Sequence, residues 1–324
     1  MTPPRKTPWD EIDHPGSGYH VKRVRGDGVV PLFWGKDSSG RCVFMVRLQG
    51  NHVDLFHKEN ISVRGIDVDL KKIESVADQE LVLTLEKHVD KDLFLGLCET
   101  LITNLLPVDN SREAIALTLT HIKRWKAFLA GGKGKLLSAE EIRGLFGELL
   151  FLRFLYQERL EKQEALDAWC GPDDTQQDFI FGNTAVEIKT LSGRERNTVR
   201  ISSEDQLASL CDHLFLMIYK LSDGQSSDDS LSLNGLVHLM EDEFSNTGTI
   251  EKFHERLASH DYVEMPEYDT PKFLETSQHA YRVVDDFPRL IRSNLSDGVI
   301  RVRYELKLEK LQKFECSPAE IGGD

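Results

Sequence analysis

The stretch DFIFGNTAVEIKT, residues 178–190, decides the fold because it predicts a tight β-hairpin. Gly182 and Asn183 lie between two apolar runs, which is the pattern of a two-residue hairpin turn. With these two residues as the loop, the strands pair outward from residue 181 with 184. The stretch therefore predicts two short neighbouring strands joined by a two-residue turn.

Two carboxylates and an amine come together on this hairpin. In the expected register Asp178 lies opposite Glu187, and period-two alternation puts Lys189 on the same face. Like charges directly opposite each other are destabilising, so the pair favours a cation between them. These residue types suit hydrolysis of a phosphodiester with a divalent cation, in which Lys189 orients or activates the attacking water. The alternative is a surface hairpin whose charges simply alternate with a buried apolar face.

A helix upstream of the hairpin offers a third carboxylate. Ser138, with a glutamate three residues later, forms a capping-box pattern that predicts a helix to about Tyr156. Glu148 lies in an almost wholly apolar part of this helix, where a carboxylate is costly unless it is paired or bound to a metal. Glu148 is therefore a candidate site residue. The alternative is an ion pair with Arg143 or Arg153.

The residues after the hairpin predict the remainder of the core. Residues 198–202 predict a third strand, followed at once by a helix with Gln206 in its first turn. The continuous apolar run 213–219 predicts a buried central strand. Residues 280–284 and 299–308 predict a closing pair of strands.

An aspartate on one strand and Glu-x-Lys on the next make this chain resemble the PD-(D/E)XK nuclease superfamily. The resemblance implies an α/β fold (α+β) with a restriction-endonuclease-like core, in which helices flank a mixed sheet. It also implies a site for Mg²⁺ or Mn²⁺. The residues implied as ligands are Asp178, Glu187, Glu148 and the backbone carbonyl of Ile188, with Lys189 at the nucleophilic water and Gln206 touching the site.

The chain departs from the superfamily pattern in one place. No proline directly precedes Asp178, and the nearest is Pro172. That proline is the most variable part of the pattern, so Asp178 is retained as the first carboxylate. Asp174 remains a rival for the same role.

Length and composition predict two domains. With 324 residues and 40% hydrophobic residues, the chain can bury a large core. We expect a β-rich N-terminal domain with a packing helix at residues 1–108 and the nuclease-like domain at 109–324. Five scattered cysteines without a Cys-x-x-Cys pattern favour a reducing compartment. No leader or membrane-spanning run is evident, so we expect a cytoplasmic protein that does not associate with membranes.

The net charge of −14 is the main evidence against a nucleic-acid enzyme, because phosphate binding normally uses a basic surface. One basic cluster nevertheless lies where a substrate backbone would pass, directly after the Glu-x-Lys strand: Arg194, Arg196 and Arg200. The alternative is an ordinary solvated surface. Weak intrinsic affinity, with partner proteins supplying further DNA contacts, would reconcile the acidity with a nuclease.

The order of these segments is similar to the bacterial family called PD-(D/E)XK motif proteins, over most of the chain. That resemblance implies a restriction or phage-defence gene set that includes a methyltransferase or an ATPase. We therefore expect a Mg²⁺-dependent endonuclease acting on DNA. The expected partners are DNA, proteins of such a set and a second copy of the chain. Two alternatives are a nuclease-like fold that binds DNA or assembles without cleaving, and an enzyme that cleaves RNA.

Overall fold

The computed structural model describes residues 6–59, 63, 65–73, 77–86, 90–131, 136–170, 176–192, 197–224 and 227–322. The chain forms two compact units. The N-terminal unit comprises Met1–Leu136 and Asp261–Glu267, and the second, called the site unit, comprises Leu137–His260 and Tyr268–Asp324. Within the described ranges no helix is long and apolar enough to cross a membrane.

The N-terminal unit is built on an antiparallel sheet, described as five strands in the order β1-β2-β3-β5-β4. The strands are β1 (Tyr19–Arg23), β2 (Leu32–Asp37), β3 (Cys42–Leu48), β4 (Ile66–Lys72) and β5 (Gln79–Leu85). The helices of this unit are α1 (Val53–Glu59), α2 (Lys91–Leu105) and α3 (Ser111–Gly131). Trp9 is fully buried between Trp34 and Phe94, and its indole N–H donates to the carbonyl of Val43 at 2.9 Å.

Two segments outside residues 1–108 also belong to the N-terminal unit. Residues 109–136, which the sequence pattern assigns to the second domain, lie here because α3 packs against α2 and β3. Residues 261–267 pack on α2, where the Thr100 hydroxyl donates to the Glu264 carbonyl at 3.2 Å. The division of the chain therefore follows packing rather than the loop near residue 108.

The site unit contains a mixed sheet with the order β10-β11-β9-β7-β6, and β13 pairs with β11. Its strands are β6 (Phe179–Phe181), β7 (Thr184–Ser192), β9 (His213–Asp223), β10 (Leu231–Ser232), β11 (Lys272–Arg282) and β13 (Glu315–Cys316). Strand β9, predicted as a buried central strand, runs parallel to β7 and antiparallel to β11. Its apolar run is buried as expected for an inner strand.

The helices of the site unit are α4 (Ala139–Glu158), α5 (Lys162–Ala168), α6 (Leu233–Glu243) and α7 (Thr247–Ser259). The capping box at Ser138 is present, since the Ser138 side chain accepts from the Glu141 N–H at 3.3 Å. Helix α4 packs directly against β7 at Gly147, where a Cβ would collide with the Thr190 side chain. This close approach brings the middle of α4 to the edge of the sheet.

A two-stranded ribbon forms a separate small sheet in the site unit. Strand β8 (Thr198–Ile201) pairs antiparallel with β12 (Tyr304–Lys307), and Val199 and Leu306 are buried in the core. The predicted closing pair between residues 280–284 and 299–308 is therefore wrong. Each segment has a different partner, because β11 completes the hydrogen bonding of β9 while β12 completes that of β8.

The helix predicted to begin after residue 202 is also wrong, because residues 204–207 form only a turn. The turn is held by local bonds, in which Ser203 Oγ accepts from the Asp205 N–H at 3.1 Å and Gln206 Oε1 accepts from the Ser202 N–H at 2.8 Å. The buried strand β9 begins soon afterwards, which leaves little chain for a helix. The predicted fold class is confirmed: α/β, with helices flanking a mixed sheet and a β-rich N-terminal unit.

Candidate active site

The hairpin has the predicted register. Phe179 pairs with Val186 and Phe181 with Thr184, so the loop consists of the two predicted residues. Gly182 adopts a positive φ of 53°, which a glycine tolerates without strain. Strand β6 pairs only with residues 184–186 of β7, so the part of β7 that carries Glu187 and Lys189 has no β6 partner on that edge, although its other edge pairs with β9.

Asp178 lies at this open edge of β7. Its Oδ2 accepts a hydrogen bond from the Ile188 N–H at 2.6 Å, the position that a longer β6 would have used. The carbonyl of Asp178 accepts from the Cys170 N–H at 2.9 Å. The two carboxylates therefore do not lie side by side on one face as expected, because Asp178 turns to the edge of β7. Asp178 is still close enough for its charge to raise the pKa of Glu187.

Glu187 is almost fully buried, with 1% of its side chain exposed. Its Oε1 binds Lys189 Nζ at 2.5 Å, and its Oε2 is buried without a hydrogen-bond partner among the described residues. Burial and the negative charge of Asp178 raise the pKa of Glu187 to about 8, although Lys189 opposes them. Burial alone would lower the pKa of Lys189, but the carboxylates outweigh it and raise that pKa.

Glu148 on α4 joins the same cluster. Burial and the charge of Asp178 raise its pKa well above the usual range. Its Oε2 accepts from the Trp169 indole N–H at 2.9 Å and lies 3.4 Å from His260 Nδ1. Of the two arginines weighed as partners, Arg153 binds Glu243 instead.

Glu148, Asp178 and Lys189 line a cavity of about 500 Å³, whereas the buried Glu187 is not part of the lining and is joined to it through Lys189. Its charged lining includes Glu148, Asp178 and Lys189, together with Arg143 and the exposed Arg200 of β8. Glu140 and Glu305 lie on its lining as well, and Ser202 and Thr198 add hydroxyls. The cavity thus combines carboxylates, which suit a hard cation, with lysine and arginine side chains, which suit an anion.

The structure does not bring Gln206 to the cavity. Its amide oxygen is used by the Ser202 N–H, so Gln206 supports a cavity residue rather than lining the site. Three other candidate residues, Arg194, Arg196 and the rival carboxylate Asp174, lie outside the described residues. Ile188 lines the cavity, and its N–H holds Asp178.

The donor set fits a hard divalent cation. In the described ranges, no three His, Cys, Asp or Glu side chains already converge closely enough to bind a metal. The fit rests instead on the buried Glu187 Oε2, which has no hydrogen-bond partner among the described residues, and on the two neighbouring carboxylates. Mg²⁺ is commonly held by one or two carboxylates and several waters, so three converging ligands are not required.

Two residues near the site have no signal in the sequence. Trp169 is fully buried and reads as a core aromatic, and His260 is far away along the chain. Both reach Glu148 only through the packing of α5 and α7, which end at Ala168 and Ser259. A tryptophan shortly before Asp178 is by itself too common a core residue to indicate a site.

Comparison with known protein families identifies the family of the chain. A family model described as "Putative PD-(D/E)XK family member, (DUF4420)" matches residues 5–309. The matched range includes Glu148, Asp178, Glu187 and Lys189. Searches of curated proteins and of solved structures returned no match.

Proposed function

The chain belongs to this PD-(D/E)XK family, and we propose that it is an endonuclease that hydrolyses DNA phosphodiester bonds with Mg²⁺ or Mn²⁺. The carboxylate of Glu187 carries the proposal. One of its oxygens is held by Lys189, which lines the cavity, and the other is buried without a hydrogen-bond partner among the described residues. An unpaired buried carboxylate oxygen is costly, and a bound cation would remove that cost.

Asp178 and Glu187 would hold the cation, with Glu148 as a further carboxylate. A divalent ion bound there polarises a phosphate oxygen and lowers the pKa of a coordinated water. Lys189 adds a positive donor beside Glu187, where it can orient a water or stabilise negative charge that develops on the phosphate. Arg143 and Arg200 line the same cavity and can bind the flanking phosphates.

The charge of the chain bears on how DNA reaches the site. A net charge of −14 disfavours strong binding to duplex DNA by this protein alone. We propose that a methyltransferase or an ATPase of a restriction or phage-defence system supplies further DNA contacts. The chain alone should then bind duplex DNA with a Kd no tighter than about 10⁻⁶ M at physiological salt, the usual range for non-specific binding. Nanomolar binding by the chain alone would contradict this part of the proposal.

The test is cleavage of plasmid, linear duplex, single-stranded DNA and RNA by the full chain with Mg²⁺, Mn²⁺ or EDTA. We expect metal-dependent cutting of DNA that falls at least about a hundredfold in Lys189→Ala, the scale for losing a positioned proton-transfer group. Asp178→Asn should lose cutting to a similar extent. Glu158→Gln is the matched control, because it changes an exposed carboxylate of α4 that does not line the cavity, and it should cut normally.

Each alternative has its own outcome. Cutting of RNA alone would replace DNA as the substrate. Binding of DNA without metal binding or cutting would favour a nuclease-like fold that acts as a binding or assembly subunit. Cutting that persists in both Asp178→Asn and Lys189→Ala would remove this cavity as the active site.

A further inference from the structure

Trp169 links two of the site carboxylates. Its backbone pairs with Phe179 in an isolated bridge, and the next residue, Cys170, donates its N–H to the Asp178 carbonyl at 2.9 Å. The Trp169 indole N–H donates to Glu148 Oε2, also at 2.9 Å. The position of this short segment therefore determines where both Asp178 and Glu148 lie.

His260 supports the indole. It follows α7, and its imidazole stacks on the Trp169 ring with a centroid distance of 4.3 Å and an interplanar angle of 16°. Its Nδ1 lies 3.4 Å from the same Glu148 oxygen. Trp169 is fully buried and only 9% of the His260 side chain is exposed, so neither ring has room to turn away.

The kind of donor matters for what Glu148 can do. An arginine would largely neutralise Glu148, and Arg153, on the same helix, is bound to Glu243 instead. An indole N–H fixes one carboxylate oxygen and carries no charge, so it holds Glu148 without neutralising it and the carboxylate can ionise when a cation binds. Glu148 Oε1 accepts no hydrogen bond within the described residues, and Glu148 lines the cavity.

We propose that Trp169 and His260 are positioning residues that hold Glu148 in place for the divalent cation bound at Asp178 and Glu187. This inference rests on the proposed function and adds to it a residue pair that orients a ligand. Hydrogen-bond partners of this kind change metal affinity by about 10–100-fold when they are removed. A role limited to filling the core would change stability and leave metal affinity as it is.

The test measures Mn²⁺ binding to the full chain by calorimetry, without substrate. Trp169→Phe keeps an aromatic ring and removes the indole N–H, and His260→Phe keeps a ring for stacking and removes Nδ1. We expect Trp169→Phe to weaken Mn²⁺ binding about 10–100-fold and His260→Phe to weaken it by a smaller factor.

Tyr156→Phe is the matched control. Like Trp169, Tyr156 is an aromatic residue that donates a hydrogen bond to a carboxylate: its hydroxyl donates to Glu243. Tyr156 does not line the cavity. It should bind Mn²⁺ with the affinity of the unaltered protein. Urea unfolding of all variants in EDTA measures any general loss of stability separately.

Fluorescence provides a second readout that leaves Trp169 and His260 unaltered. Of the four tryptophans, Trp9, Trp34 and Trp125 belong to the N-terminal unit, so Trp169 is the tryptophan of the site unit. Paramagnetic Mn²⁺ at the proposed position should quench its emission, and the quenching should persist in Tyr156→Phe. Mn²⁺ binding without any change in emission would overturn the inference.

The outcomes separate the inference from the function on which it rests. Equal Mn²⁺ affinity in Trp169→Phe and the unaltered protein would overturn the positioning role and leave the nuclease proposal intact. No binding of Mn²⁺ by the unaltered protein would overturn both.

Discussion

Helix α4 contributes to two carboxylate sites that differ in how completely their carboxylates are hydrogen-bonded. Near its middle, Glu148 belongs to the cavity cluster with Glu187, whose Oε2 is buried without a described partner. Near its end, Arg153 and Tyr156 bind Glu243 of α6. Arg153 Nε reaches both Glu243 oxygens at 3.1 Å, and its Nη2 lies 2.5 Å from Oε1.

The pKa values of Glu243 and Glu187 are shifted in opposite directions, because burial and hydrogen bonding are balanced differently at the two sites. Burial raises the pKa of every carboxylate, and the bonds from Arg153 and Tyr156 outweigh it at Glu243, whose pKa is lowered. At Glu187, burial and Asp178 outweigh Lys189, and the pKa is raised to about 8. A carboxylate with all its donors in place is structural, whereas one that the protein leaves incompletely paired retains capacity for a cation.

The largest difference between the sites should appear in activity. Glu187→Gln should reduce metal-dependent DNA cutting by about a hundredfold or more, because it removes a charged group that holds the cation. Glu243→Gln should keep cutting within a few fold, because Glu243 is bound to Arg153 and Tyr156, neither of which lines the cavity. Initial rates at saturating Mg²⁺ measure both. Equal loss in the two folded variants would mean that the comparison does not separate function from structure.

The second difference concerns stability against pH in EDTA. Glu187 has a folded pKa of about 8, above its ordinary value of 4.5, so between these values the folded state binds more protons than the unfolded state. Its contribution to stability therefore falls as pH rises from about 4.5 to 8. The effect is on the order of a few kcal/mol, since one pKa unit corresponds to about 1.4 kcal/mol.

Glu243 should behave in the opposite way. Its folded pKa is lowered, so its contribution is present above the ordinary carboxylate pKa and is lost as pH falls through the folded value. Urea unfolding across pH 3–8 should show that Glu187→Gln reduces the change in the free energy of unfolding between about pH 4.5 and 8. Glu243→Gln should reduce the change at lower pH. The same pH profile in both variants would contradict the assignment.

A smaller effect is expected when Glu243 loses its cation. Arg153→Met keeps much of the side-chain volume and leaves the Glu243 carboxylate without its charged donor. We expect the free energy of unfolding at pH 7 to fall by about 1–3 kcal/mol, the usual cost of leaving such a group unsatisfied. DNA cutting should be unchanged. A loss of stability no larger than that of Tyr156→Phe would show that the ion pair contributes little.

The parts of the site that were predictable are the parts fixed by local sequence. The hairpin follows from Gly182 and Asn183, and the start of α4 follows from the capping box at Ser138, because both depend on neighbours within a few residues. Gln206 was assigned to a helix that does not form, because its amide bonds Ser202 and closes a turn instead. Local polar residues favour caps and turns equally well.

Trp169 and His260 could not be predicted for a different reason. Their relation to Glu148 depends on how α5 and α7 pack in the site unit, and no periodicity in the sequence encodes that arrangement. The same holds for the pairing of β12 with β8 rather than with residues 280–284. Long-range partners compete on packing, and the sequence pattern of a strand does not name its neighbour.

The two arginines Arg153 and Arg200 differ in the same way as the carboxylates, and changing Arg200 should have the smallest effect. Arg153 is bound to Glu243, whereas Arg200 is exposed on the cavity and forms no ion pair within the described part of the chain. Arg200 therefore keeps its charge for a phosphate. Arg200→Gln should weaken duplex binding a few fold and reduce the slope of log K against log salt by about 1.

Fluorescence anisotropy with a labelled duplex in EDTA, at several salt concentrations, measures this slope without cleavage. Lys313→Gln is the control, because it removes the same charge from an exposed residue that is paired with Asp286 and does not line the cavity. Its slope should equal that of the unaltered protein. If both variants lower the slope equally, DNA binding depends on overall charge, and the cavity has no special share in it.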